Sequence, residues 1–158
     1  MAKTTPATLM LDRLGIAYET ATYDYDPNAQ KIGMQAAESL GVPADRVLKT
    51  LMIEAGGKAV CAVIASNQDV SMKRLAAALG AKSAAMMKPA AAERLTGYHV
   101  GGVSPLGQKK VSPVVIDVAA MDYDRVFVNG GQRGLQVHLS PRDLAAALSA
   151  VVTDIKAI

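Results

Sequence analysis

Apolar residues recur along this 158-residue chain with helical, alternating and continuous spacing, and each spacing predicts its own element. Thr5-Pro6 reads as a helix cap and first helical residue, Leu9, Met10, Leu11 and Leu14 supply an apolar face, and Gly15 supplies the stop. Over residues 16–23, Ile16, Tyr18, Thr20 and Thr22 alternate with Ala17, Glu19, Ala21 and Tyr23, which predicts a strand. A polar turn around Pro27 follows, then a helix over 33–40 ended by Gly41 and Pro43. Residues 47–53 and 59–65 are almost continuously apolar and rich in β-branched side chains. With Glu54-Ala55-Gly56-Gly57-Lys58 between them they predict a hairpin lying centrally in a covered sheet.

Ser71 caps a predicted helix reaching Leu79, residues 82–87 form a short strand, and 89–95 a short helix. Residues 114–118 read as a buried strand, and 125–129 with 135–139 as a second hairpin around Gly130-Gly131-Gln132-Arg133-Gly134. Ser140-Pro141-Arg142-Asp143 opens a last helix with Leu144, Leu148 and Val151 turned inward, and 152–158 trails as a docked tail. Hairpins interspersed with helices, without regular βαβ alternation, argue for a single α/β domain over 1–158. It is mixed α+β, with a largely antiparallel sheet and helices packed around it.

Composition narrows the class. The chain is 51% hydrophobic and 20% charged, the balance of a globular soluble protein. No apolar run approaches the ~18 residues of a membrane span, and the first residues do not read as a signal peptide, so the expectation is a cytoplasmic protein with no membrane partner. Cys61, the only cysteine, excludes an internal disulfide, and within Val60-Cys61-Ala62-Val63-Ile64 it reads as a small buried hydrophobe. One cysteine with two histidines far apart in sequence, His99 and His138, does not make a zinc site, so no metal or cofactor is expected. Met86-Met87 reads as core filler.

Candidate chemistry gathers at residues 97–110, G-Y-H-V-G-G-V-S-P-L-G-Q-K-K. Four glycines and a proline forbid a regular element, and Gly101-Gly102 can present bare N–H groups to a ligand. A solvated turn is the competing reading of the loop alone. Charge separates the two: between Val70 and Val115 stand Lys73, Arg74, Lys82, Lys88, Arg94, Lys109 and Lys110 against the single acid Glu93, a window of +6 within a chain of net +3. Such a cluster beside a glycine loop suits a polyanion such as RNA. Lys49, inside an apolar strand, reads either as a lysine whose stem packs while its amine reaches water, or as a charge held at a pocket mouth to bind phosphate or ribose oxygens. The segment Gly102 to Lys109 falls short of a P-loop, with Gln108 in the lysine position, Pro105 in the cradle and a strand following. A Ser104/His99 pair has no acid in the loop to orient it.

Together, Lys49-Thr50-Leu51, the run Gly97-Tyr98-x-x-Gly101-Gly102-x-Ser104-Pro105-x-Gly107-Gln108-Lys109-Lys110, and Gly130-Gly131-x-Arg133-Gly134-Leu135 resemble the YbaK/EbsC family over nearly the whole chain. Thr22-Tyr23, Asp26-Pro27 and Ala76-x-x-Leu79-Gly80-Ala81-Lys82 extend the likeness. The resemblance implies the fold of the prolyl-tRNA synthetase editing domain, built on a central, partly barrelled sheet. It implies a trans-editing deacylase that hydrolyses mischarged Cys-tRNA(Pro), with tRNA(Pro) as substrate partner and prolyl-tRNA synthetase as a second candidate partner. In that scheme Lys49 holds the terminal adenosine phosphate and ribose, a backbone amide at Gly101 or Gly102 polarises the scissile carbonyl, and the substrate's own thiol attacks. Tyr23, Ile32, Thr50, Tyr98, Ser104, Asn129, Gly130 and Gln136 are the expected substrate contacts; Lys73, Arg74, Lys82, Lys88, Lys109 and Lys110 are the expected tRNA contacts.

Three positions depart from the cysteine-specific pattern: Asn129 stands for serine, Gln136 for an acid and Ile32 for phenylalanine. The expectation therefore extends to alanine, serine or another small residue in place of cysteine. A non-catalytic tRNA- or synthetase-binding module of the same fold is the alternative, and a nucleotide-phosphate enzyme using the glycine loop is a third reading.

Overall fold

The computed structural model describes residues 4–28 and 32–157, with Ile32 and Gly33 described by their backbone alone. Helix α1 (Pro6–Leu14) starts where the sequence places it. Thr5 accepts from the Thr8 N–H, the Thr8 hydroxyl accepts from the Thr5 N–H, and Gly15 closes the helix at φ 69°. Strand β1 (Glu19–Thr22) is shorter than the alternation predicts, because residues 16–18 fold back on α1. The Ile16 N–H donates to Leu11 and the Tyr18 hydroxyl to Asp12.

After α2 (Ile32–Leu40), strands β2 (Leu48–Ala55) and β3 (Lys58–Ala65) form the expected hairpin. Its two-residue turn needs φ > 0 twice, and Gly56 and Gly57 supply 58° and 78°. Helix α3 (Met72–Ala78), strand β4 (Ala84–Met86), helix α4 (Pro89–Thr96) and strand β5 (Val114–Asp117) follow. Strands β6 (Val126–Asn129) and β7 (Leu135–Leu139), helix α5 (Pro141–Leu148) and strand β8 (Val151–Thr153) complete the order.

The strands form two sheets, where the sequence reading expects one. Strands β1-β7-β6 make an antiparallel sheet, and β4-β2-β3-β5-β8 a mixed one. A lone parallel bridge between Val47 and Phe127 joins them. Four of the six strand pairings are antiparallel, and the β3-β5 and β5-β8 pairs are parallel. The parity of β3 separates two cores. Cys61 and Val63 face a large cluster with Leu48, Met52, Val128, Val137 and Leu144, while Val60, Ala62 and Ile64 face a smaller one with Ile53, Leu75, Val115 and Ile155. Burial on both faces is why β3 reads as an uninterrupted apolar run.

Val151 corrects the sequence reading. Ser149 adopts left-handed φ 49° and ends α5, so Val151 leaves the helix as an exposed strand residue. The tail docks as expected, through Ile155, which is fully buried. No helix among the described residues is long and apolar enough to cross a membrane.

Candidate active site

Strand β2 pairs with β3 along its whole length, but on its other side only residues 53–55 meet β4. Between the Val47–Phe127 bridge and the Ile53–Met86 pair its outer edge has no partner strand, and a cavity of about 410 Å³ opens there. A cavity against a strand edge meets side chains of both parities, so Leu48, Lys49, Thr50, Leu51 and Met52 all line it. Ala36, Met86, Met87, Pro89, Ala92 and Val103 extend the apolar wall, and Tyr23, Asn129 and Gln136 add polar groups. No Asp or Glu is among the lining residues.

The glycine loop closes the cavity with a turn whose polar groups are almost all committed. The Gly102 N–H donates to the His99 carbonyl at 2.8 Å, with Gly101 at φ 91°, as a type II turn demands. The Val100 N–H donates to Glu93 Oε2 at 2.8 Å, which holds that carboxyl below its ordinary pKa. The Val100 carbonyl accepts from Arg133 Nε at 2.8 Å, and the Gly101 carbonyl accepts from Asn129 Nδ2 at 3.1 Å. Among the described residues the Gly101 N–H has no partner, and Gly101 lines the cavity. A type II turn leaves this central amide free of the turn's own hydrogen bond, so within the turn the Gly101 N–H is a donor not yet used.

Gly102 is the first correction: its amide is spent within the turn, and a Cβ there would lie 2.7 Å from the Arg133 nitrogen, so its glycine serves close backbone packing. Tyr98, Ser104 and Gly130 are also absent from the cavity wall. Tyr98 is buried and donates to the Leu106 carbonyl at 2.6 Å; burial pushes its phenol up to about 12. Ser104 is fully buried and accepts from the Leu106 N–H, and Gly130 packs against Leu135. All three shape the loops from behind. The expected contact at Ile32 falls on a side chain outside the described residues.

Two buried side-chain oxygens lack a hydrogen-bond partner among the described residues, Thr50 Oγ1 and Gln136 Oε1, and both residues line this cavity. Folded proteins rarely strand such atoms, so a ligand donor is the natural complement. Burial raises the pKa of the Tyr23 phenol, as does the neighbouring Tyr25, against the opposing effect of hydrogen bonding from Gln136 and Gly134. Lys49, with 22% of its side chain exposed, has its Nζ 3.7 Å from Asp69 Oδ1.

Of the expected tRNA contacts, Lys73, Lys82, Lys88, Lys109 and Lys110 are exposed. Arg74 is engaged internally: its Nη1 donates to Asp154 at 2.9 Å and to the Lys156 carbonyl at 3.3 Å. Cys61 is sealed in the core, where burial pushes its thiol up to about 12. Sequence reading missed the groups that hold the turn, Glu93, Arg133 and Tyr25, whose ring lies 5.3 Å from the Arg133 guanidinium. Arg133 was visible as the one charged residue of the 130–134 glycine turn and Glu93 as the single acid of the basic window, neither with a role attached; Tyr25 left no sequence signal. Met87 belongs to the large core cluster as expected, whereas Met86 is 53% exposed and does not; both also line the cavity.

Compared with known proteins, residues 26–147 match the model of the aminoacyl-tRNA editing domain. The chain is 42% identical over 107 residues to "Putative Cys-tRNA(Pro)/Cys-tRNA(Cys) deacylase EbsC" of Enterococcus faecalis, covering 66% of this chain and 65% of that protein. It is 37% identical over 78 residues to the proline–tRNA ligase of Nitratidesulfovibrio vulgaris, 49% of this chain but only 14% of the ligase. A crystal structure of "a putative trans-editing enzyme for prolyl tRNA synthetase" superposes with a TM-score of 0.82 at 21% identity, over 99% of this chain and 100% of the other.

Proposed function

This chain belongs to the aminoacyl-tRNA editing-domain family, and from that premise we propose that it is a trans-acting hydrolase. It cleaves the ester between a small, wrongly attached amino acid and the end of tRNA(Pro), with Cys-tRNA(Pro) first among its substrates. The observation that carries this reading is the His99–Gly102 turn, in which every other amide and carbonyl of residues 100–101 is tied down while the N–H of Gly101, a residue of the cavity wall, has no partner among the described residues. A fixed donor of this kind serves an oxygen that gains charge during acyl transfer, and one such donor is worth about 2.7–4 kcal/mol.

Lys49, on rigid strand backbone at the same cavity, takes a phosphate or ribose oxygen of the terminal nucleotide. The apolar wall receives the amino-acid side chain, and Thr50 Oγ1 with Gln136 Oε1 accept hydrogen bonds from the acyl group. Asn129 positions Gly101 through its carbonyl and so acts on the donor indirectly. With cysteine, the side-chain sulfur attacks its own carbonyl carbon and the charge moves to the oxygen facing Gly101. The ester C–O bond then breaks, the thiol proton passes to the departing ribose oxygen, and a cyclic thioester leaves. Such an intramolecular attack draws about 7–11 kcal/mol from proximity. Water takes the place of sulfur for alanine or serine.

A deacylation panel tests the reading. tRNA(Pro) charged with Cys, Ala, Ser or Pro is mixed with the protein, and release is followed alongside a Lys49→Met variant. Release of at least one non-cognate residue, sparing Pro and falling at least tenfold with Lys49→Met at unchanged Tm, is the expected result. Salt-sensitive tRNA binding with no release from any of the four would leave a binding module in its place.

A further inference from the structure

The ammonium of Lys49 has one ionic partner among the described residues, and it lies outside the cavity. Asp69 Oδ1 stands 3.7 Å away, near enough for attraction and too far for a hydrogen bond, so the three N–H donors of Lys49 stay uncommitted. The Asp69 side chain is 92% exposed and makes no hydrogen bond among the described residues. Its backbone is fixed. The Asp69 carbonyl accepts from the Ala157 N–H at 2.8 Å, Val70 bridges to Lys156, and the Ser71 N–H donates to the Ile155 carbonyl at 2.7 Å.

The C-terminal tail that makes these bonds is itself anchored. Buried Asp117 accepts from the Ile155 N–H at 3.0 Å and from Lys156 Nζ at 3.1 Å, and Arg74 ties Asp154. The tail that buries Ile155 in the core thus also fixes the backbone of Asp69, a carboxylate with no hydrogen bond of its own among the described residues, beside Lys49.

We propose that Asp69 is a positioning residue for Lys49. It keeps the ammonium at the cavity mouth while the site is empty and yields it when a substrate phosphate arrives. The proposal rests on the reading of Lys49 as a phosphate contact. An exposed side chain with no other bond can rotate away, and its clamped backbone brings it back when the phosphate leaves. The exchange of one anion for another weakens the hold of the site on both substrate and product, and so favours release of the deacylated tRNA.

Binding of uncharged tRNA(Pro) is measured for the wild type, Asp69→Asn, Asp69→Glu, Lys49→Met and the Asp69→Asn/Lys49→Met double variant. Asp69→Asn is expected to tighten Kd about 1.5- to 5-fold, the range of an exposed ion pair. KM for mischarged tRNA(Pro) falls by the same factor, Asp69→Glu restores the wild-type value, and the gain vanishes in the Lys49→Met background. A gain that persists with Lys49→Met reports general surface charge and overturns the inference, as does weaker binding by Asp69→Asn. If Lys49→Met itself binds tRNA like the wild type, Lys49 is no phosphate contact and the site reading falls with the inference. A normal loss with Lys49→Met and no effect of Asp69→Asn overturns the inference alone.

Discussion

Adjacent glycines in the 99–102 turn do different work, and substitution separates them. An alanine Cβ at Gly102 would meet the backbone of Gln132 and Arg133, which cannot yield as a side chain tip can. Gly102→Ala is expected to lower Tm by several degrees together with activity, read by thermal melting. At Gly101 the Cβ would meet the Tyr25 ring, its hydroxyl at 2.5 Å and Cζ at 2.9 Å, at a φ that disfavours any side chain, so Gly101→Ala still loses deacylation in a Tyr25→Ala background that removes the clash. The opposite trade holds at the stranded oxygens. Thr50→Val removes an unsatisfied buried hydroxyl, so stability is expected to hold or rise by up to about 1 kcal/mol while turnover falls. An equal loss of both would mean that Thr50 is structural. Lys49 and the glycine pair were legible as residues because a charge in an apolar strand and paired glycines each break a local rule. Which glycine amide stays free was not, since it depends on the turn that Gly102 closes onto His99, a turn held by Glu93, Asn129 and Arg133 from distant parts of the chain.

Caps and turns decided the elements, and those were the best-read features of the chain. Thr5, Ser71 and Ser140 each accept from a first-turn N–H as the sequence predicts. Ser140→Ala is expected to cost about 1 kcal/mol in chemical denaturation, the usual worth of such a cap. The parallel β3-β5 and β5-β8 pairs were illegible, because a strand buried on both faces has the same apolar run whichever way its neighbour points. At β7, His138 stacks on Phe127 with ring centroids 4.1 Å apart. Burial first, and Arg125 second, lower its pKa. A depressed folded-state pKa means that the unfolded chain binds the proton more readily, so stability is full above the ordinary histidine range and declines as pH falls through it. His138→Phe should flatten that decline between about pH 7 and pH 5 in urea midpoints, against the ordinary pKa of about 6.5.

For the molecule as a whole, the uneven charge predicts how it would meet the proposed tRNA. The exposed Lys73, Lys82, Lys88, Lys109 and Lys110 belong to the basic window, and Arg74 is withdrawn from it by Asp154. Charge reversal at Lys88, which precedes the cavity residue Pro89, is expected to weaken tRNA binding and flatten its salt dependence by about one phosphate contact. Arg74→Met should leave that slope unchanged and lower Tm.

The wall of the cavity holds three thioethers, Met52, Met86 and Met87, with Met86 53% exposed, while the lone thiol is sealed and its pKa raised to about 12. Peroxide will therefore reach sulfur at the cavity before it reaches Cys61, and sulfoxide formation turns a greasy, pliable lining into a polar one. A protein inactivated in this way regains its function with methionine sulfoxide reductase and not with dithiothreitol, which makes its oxidative damage a methionine lesion in a molecule whose proposed work is to remove cysteine.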